Sequence, residues 1–145
     1  MFNLSHDQVN FVNKFLEEVH LARMATVGQD LQPHVVPVWY GWDGESLWIS
    51  SYANTRKVQE LERNPKISIA VDTTDEAGAT QAVILEGTAR LVREPRAFLE
   101  DKFYWIYRRY LGEEGVLKPD PQEWIKDAHN LLIQLTPERV YTWNW

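Results

Sequence analysis

The segment Ser50-Ser51-Tyr52-Ala53-Asn54-Thr55-Arg56-Lys57 brings the parts of a phosphate site together in one short stretch. Ser50, Ser51 and Thr55 supply hydroxyls, Arg56 and Lys57 supply cations, and the helix-like run Val58-Gln59-Glu60-Leu61-Glu62 leaves the segment. The first N–H groups of a helix have no intrahelical acceptor and attract anions, and charged donors make the strongest hydrogen bonds. Two adjacent cations at the positive end of a helix dipole are unfavourable unless an anion sits among them. The segment has no Walker-type glycine pattern. It predicts a pocket for one phosphate-bearing small molecule.

A second constellation is His34-Val35-Val36-Pro37-Val38-Trp39-Tyr40. Proline inside an apolar strand removes a ladder hydrogen bond, so Pro37 marks an edge, a bulge or a split in a sheet. The free backbone groups of such an edge can face a planar heterocycle, and they suit a flavin ring, whose rim alternates N–H, C=O and N.

Other chemistries find little support. The four histidines, at 6, 20, 34 and 129, have no ligand spacing, and no carboxylate pair sits in an apolar run as acid–base chemistry requires. No Gly-x-Ser-x-Gly elbow occurs. The absence of cysteine excludes disulfides, thiolate catalysis and Cys-ligated zinc. A net charge of −6 argues against a nucleic-acid partner, which asks for a basic face. No apolar run approaches the roughly 20 residues of a membrane span, and no signal-peptide pattern is present, so a cytoplasmic protein with no membrane partner is expected. Arg90, Arg93, Arg96, Arg108 and Arg109 are expected on solvated faces or in intersubunit pairs. With a phosphate grip and no protein-supplied reactive group, a bound cofactor is the natural carrier of reactivity.

The elements that must position these residues follow from periodicity. Ser5 to His20 reads as a helix opened by a Ser5/Gln8 capping box, with Val9, Val12, Leu16 and Val19 on one face. Strands are predicted at Leu21–Val27, Pro33–Trp42, Glu45–Tyr52, Lys66–Asp72, Thr80–Arg93, Leu131–Leu135 and Arg139–Trp143, with an Asp43-Gly44 hairpin turn. Gly87, in the middle of the long strand, predicts a bulge or a close backbone approach. A short helix over Asn54–Arg63 ends at Asn64-Pro65. A longer one runs from Pro95 to about Tyr110, and Leu111–Gln122 reads as a loop before a short helical piece near Trp124. The pattern predicts one domain over residues 1–145. Its fold class is mainly β (β+α), with six or seven hairpin-linked antiparallel strands closing into a barrel and helices flanking it.

Leu21-Ala22-Arg23-Met24-Ala25-Thr26-Val27, the Pro33–Tyr40 strand, Asp43-Gly44, Ser50–Lys57, Asn64-Pro65 and Glu86-Gly87-Thr88-Ala89-Arg90-Leu91 occur in an order that resembles the pyridoxamine 5′-phosphate oxidase-like family of flavin-binding split β-barrels. The likeness is strongest to its branch of deazaflavin-dependent reductases. It implies a homodimer with two cofactor sites at the subunit interface. Val36, Pro37 and Val38 then line the flavin ring through their backbone, Ser50 and Ser51 lie beside the ribityl–phosphate part, and Thr55, Arg56 and Lys57 hold the phosphate. Gln81 reaches the cofactor across the interface. The implied cofactor is FMN, with deazaflavin coenzyme F-420 as the alternative. The implied activity is hydride transfer to or from a small organic substrate; a non-catalytic flavin- or haem-binding module is the rival. The chain lacks the C-terminal Arg/Trp motif that grips pyridoxamine phosphate in the authentic oxidase, so vitamin B6 oxidation is not expected.

Overall fold

A computed structural model describes residues 3–145. Among them are four helices and eight strands, and every strand pairing is antiparallel. Helix α1 (His6–Glu17) opens with the predicted capping box, in which the Ser5 hydroxyl accepts from Gln8 N–H and the Gln8 side chain accepts from Ser5 N–H. Strands β1 (Ala22–Val27) and β2 (Pro33–Val38) form a hairpin, and β2 is an edge strand, as Pro37 requires. The predicted Pro33–Trp42 strand is two strands, because the pairing with β1 stops at Val38 and β3 (Gly41–Trp42) pairs instead with β4 (Leu47–Tyr52).

Helix α2 (Arg56–Arg63) follows β4, and then come β5 (Lys66–Thr74) and the long β6 (Thr80–Val92). Strands β7 (Asn130–Leu135) and β8 (Arg139–Asn144) lie one after the other along the same edge of β6. Seven strands run in the order β2-β1-β5-β6-β7-β4-β3, and an eighth, β8, pairs with β6 off that path. Strand β6 thus belongs to both halves of a half-barrel. Gly87 sits where the chain passes from β7 to β8, and a β-carbon there would stand 3.0 Å from Leu135 Cδ1 and 3.3 Å from Glu138 N. This is the close approach that the glycine signals.

Two apolar cores result. One fills the half-barrel with Met24, Ile49, Ile69, Val83, Leu85 and Ile133. The other lies on the outer face of β4 and β7, where Trp48 and Leu132 meet Leu99, Phe103 and Ile106. Burying each such side chain contributes about 1.5–3 kcal/mol. The second core comes from α3 (Arg96–Gly115), which is longer than predicted. The chain breaks at Gly112 (φ +81°) and turns helical again to Gly115, and α4 (Pro119–Lys126) begins soon after. The glycine and prolines there punctuate helices rather than make a loop.

Two of the arginines expected on solvated faces are clamps. Arg96 donates to the carbonyls of Asn130 and Asp127, at 2.8 Å each. Arg109 donates to the carbonyls of Tyr40, Glu17 and Glu18 at 3.0, 3.0 and 3.1 Å. Arg93 does lie at the surface, paired with Glu62. No helix among the described residues is long and apolar enough to cross a membrane.

Candidate cofactor site

Alternation along β4 decides which hydroxyl faces which side. Leu47, Ile49 and Ser51 point into the half-barrel, while Trp48 and Ser50 point toward α3. The two serines predicted to act side by side are therefore on opposite faces. Ser51 is buried and hydrogen-bonds the Thr55 hydroxyl at 3.0 Å. Thr55 donates to the Tyr52 carbonyl at 2.8 Å. Thr55 occupies the N-cap position of α2 without its side chain capping the helix. Both hydroxyls thus shape the turn into α2 and leave the first N–H groups of that helix without a side-chain acceptor.

The adjacent cations separate as well, because successive residues of a helix point about 100° apart. Arg56 is 54% exposed and its Nε lies 3.3 Å from Glu60 Oε2, one turn along. Lys57 turns the other way, into a cleft of about 400 Å³ lined by Leu21, Pro37, Val38, Trp39, Ser50 and Lys57. Its ammonium has no carboxylate within 4.0 Å among the described residues. Burial holds its pKa below the usual lysine range. A half-buried cation without an anion, beside an uncapped helix N-terminus, is a site that asks for a negatively charged group.

Of the predicted residues, the cleft therefore unites Pro37, Val38, Ser50 and Lys57. Val36 packs against the half-barrel core. Gln81 lies on β6, donates to Asn144 Oδ1 at 3.3 Å, and lines a different cleft with Phe11, Lys14, Phe15 and Glu18. Trp39 joins the cleft, although periodicity gave it no role. Its ring stacks on Tyr110 with centroids 4.9 Å apart and planes 4° from parallel. Tyr110 is itself held by donating to His20 O at 2.6 Å and accepting from Tyr40 N–H. The cleft wall is thus a braced aromatic pair, carrying the flat apolar area that stacking on a planar ligand uses.

A larger cleft of about 480 Å³ lies beside Arg56, Arg63 and Glu60. Its cations already have partners, since Arg56 meets Glu60 and Arg63 donates to Gln29 Oε1. Glu60 is the hub there. It accepts from Thr26 Oγ1 at 2.7 Å, and His34 Nδ1 lies 3.3 Å from the same oxygen without hydrogen-bond alignment. The Thr26 bond, then Arg56 and His34, hold its carboxyl below the usual range against the opposing effect of burial. A carboxylate with a depressed pKa stabilises the fold above its unfolded pKa of about 4.3 and loses that contribution as the pH falls through the folded value. Glu60→Gln is expected to flatten the acid limb of a Tm-against-pH curve below about pH 4.5. An unchanged acid limb would show that the cluster contributes nothing to acid stability.

Comparison with known proteins agrees with this architecture. The model of the family described as pyridoxamine 5′-phosphate oxidase matches residues 10–144. A 5a,11a-dehydrotetracycline/5a,11a-dehydrooxytetracycline reductase of Streptomyces rimosus is 28% identical over 112 residues, which cover 70% of this chain and 79% of the reductase. The crystal structure of the conserved hypothetical protein Rv2991 from Mycobacterium tuberculosis superposes with a TM-score of 0.78 at 25% identity, covering 97% of this chain and 85% of that one. An F420 reductase shares the fold, with a TM-score of 0.66 at 24% identity, over 89% of this chain and 94% of its own. With 135 consecutive residues spanned by the family model and the split sheet in place, the chain belongs to the pyridoxamine 5′-phosphate oxidase family.

Proposed function

We propose that this protein is a flavin-dependent oxidoreductase that moves hydride between a reductant and a small, planar organic substrate. FMN is the first choice of cofactor and deazaflavin coenzyme F-420 the second. The observation that carries the reading is the union of Lys57, Pro37, Val38, Trp39 and Ser50 in one cleft, with the uncapped end of α2 beside it. The similarity to a dehydrotetracycline reductase supports redox chemistry on an organic substrate.

The donor set fits such a cofactor. Lys57 and the first N–H groups of α2 hold the phosphate, the β2 edge at Pro37 and Val38 supports the ring, and Trp39 walls the cleft against water. When bound, the flavin supplies two-electron chemistry that side chains do not perform, and the protein contributes binding, orientation and electrostatics. The cofactor site is completed in a homodimer, where Gln81 of one subunit approaches the cofactor of the other. Arg56 then serves α2 through Glu60, and Ser51 and Thr55 serve the turn before it.

The test begins with the mass and visible spectrum of whatever co-purifies with the protein. Titrations with FMN and F-420, sedimentation, and steady-state turnover with NAD(P)H or reduced deazaflavin follow. A dimer that binds one of these cofactors and turns over is expected. A bound flavin with no turnover under any reductant would favour a non-catalytic binding module, and failure to bind either cofactor would overturn the assignment.

A further inference from the structure

Ser50 reaches the cleft through a chain of hydrogen bonds that has a direction. Asn130, on β7, is 1% exposed, and its Nδ2 donates to Tyr107 Oη at 2.9 Å and to the Trp124 carbonyl at 3.0 Å. The opposite amide orientation would set its carbonyl oxygen against that of Trp124. Both amide protons are committed, and Oδ1 is left buried without a partner among the described residues. Leaving an acceptor buried and unpaired is costly, so the arrangement keeps the donors at the expense of the acceptor.

Tyr107 is 5% exposed and has two polar neighbours at its hydroxyl among the described residues, Asn130 Nδ2 and Ser50 Oγ, the latter at 2.9 Å. An amide N–H cannot accept, so Tyr107 must accept from Asn130. If Tyr107 also accepted from Ser50, its own buried proton would have no acceptor, at a similar cost. Tyr107 therefore donates to Ser50 Oγ. The Ser50 proton then has no acceptor among the described side chains, and Ser50 lines the cleft.

We infer that Asn130 and Tyr107 are positioning residues that fix Ser50 as a hydrogen-bond donor into the cleft, facing an acceptor oxygen or nitrogen of the bound cofactor. The inference rests on the flavin reading only for the identity of that acceptor. The direction of the chain is a property of the protein alone. A ligand atom that is itself a donor at this place is disfavoured, because Ser50, accepting from it and from Tyr107 together, would be left with its own proton unpaired among the described side chains. Nothing in the local sequence around Ser50 signals this, since its partners lie 57 and 80 residues further along the chain.

The test has two arms. Neutron diffraction on the deuterated, ligand-free protein should place the Tyr107 deuteron toward Ser50 Oγ and the Ser50 deuteron toward the cleft; a Ser50 deuteron on Tyr107 Oη would overturn the inference. FMN titration of Ser50→Ala, Tyr107→Phe and the double variant should show each single change weakening binding about three- to tenfold, with the double no worse than Ser50→Ala alone. Additive effects, or an unchanged Kd in folded Tyr107→Phe, would also overturn it. A shifted visible band in Tyr107→Phe assigns the acceptor to the flavin ring. A shifted ³¹P resonance assigns it to the phosphate. If the wild type binds no flavin, the cofactor reading falls and the neutron arm still decides the direction of the chain.

Discussion

Lys57→Ala is expected to weaken FMN binding by about 10- to 100-fold, while Arg56→Gln changes it by less than about threefold. The asymmetry follows from where the two side chains go. A charge-assisted hydrogen bond is worth about 1.5–3 kcal/mol, and Lys57 is half-buried in the cleft with no competing carboxylate among the described residues. Arg56 is more than half exposed and engaged with Glu60, and exposed pairs of that kind contribute about 0–1 kcal/mol. Fluorescence titration of the ligand-free variants reads both numbers. Raising the salt concentration should shrink the Arg56 effect further and the Lys57 effect less, because the cleft shields the ammonium. Equal losses at the two positions would show that both cations reach the phosphate, as the bare sequence suggests.

That contrast marks how far the sequence carries. Local patterns were legible where the cause is local. Ser5 and Gln8 announce the cap of α1, Asn64-Pro65 stops α2, Pro37 places β2 at an edge, and Gly87 reports the close approach of the β7–β8 turn. The Ser50–Lys57 segment points to the cleft, but as a block, and its members divide. Strand alternation sends Ser50 and Ser51 to opposite faces, and helical rotation parts Arg56 from Lys57. Both separations were available from period alone once β4 and α2 were drawn. What period cannot supply is the partner across the fold. Trp39 becomes a rigid wall only because Tyr110 stacks on it, and Ser50 gains a direction only through Tyr107 and Asn130. All three partners belong to α3 and β7, elements distant in sequence whose docking is set by burial of the second core. The likeness to a known family transfers β2, β4 and α2 well for the same reason that it is silent on α3: its motifs lie on the strands and turns of the half-barrel.

Helix α3 is therefore where a single change should reach furthest, and Arg109→Ala is expected to lower stability by about 3 kcal/mol. The guanidinium serves the C-terminal end of α1, where carbonyls lack intrahelical partners and the helix dipole favours a cation. It donates to Glu17 O and Glu18 O there and to Tyr40 O on the cleft side, joining α3 to α1 and to the segment between β2 and β3. The Tyr40 hydroxyl still covers Leu16 O at 3.0 Å after the change, which keeps the loss to a few bonds rather than the whole helix end. Urea denaturation should show a lower midpoint at unchanged slope. Arg109→Lys should recover little, because an ammonium cannot serve three carbonyls from one planar fork. Loosening this clamp frees the Tyr40–Tyr110 contact that braces Trp39, so flavin binding should weaken in Arg109→Ala under conditions where the protein is still fully folded. An unaltered midpoint would mean that water replaces the guanidinium at these carbonyls. An altered midpoint with unaltered flavin affinity would detach the Trp39 wall from the clamp and confine Arg109 to holding α1.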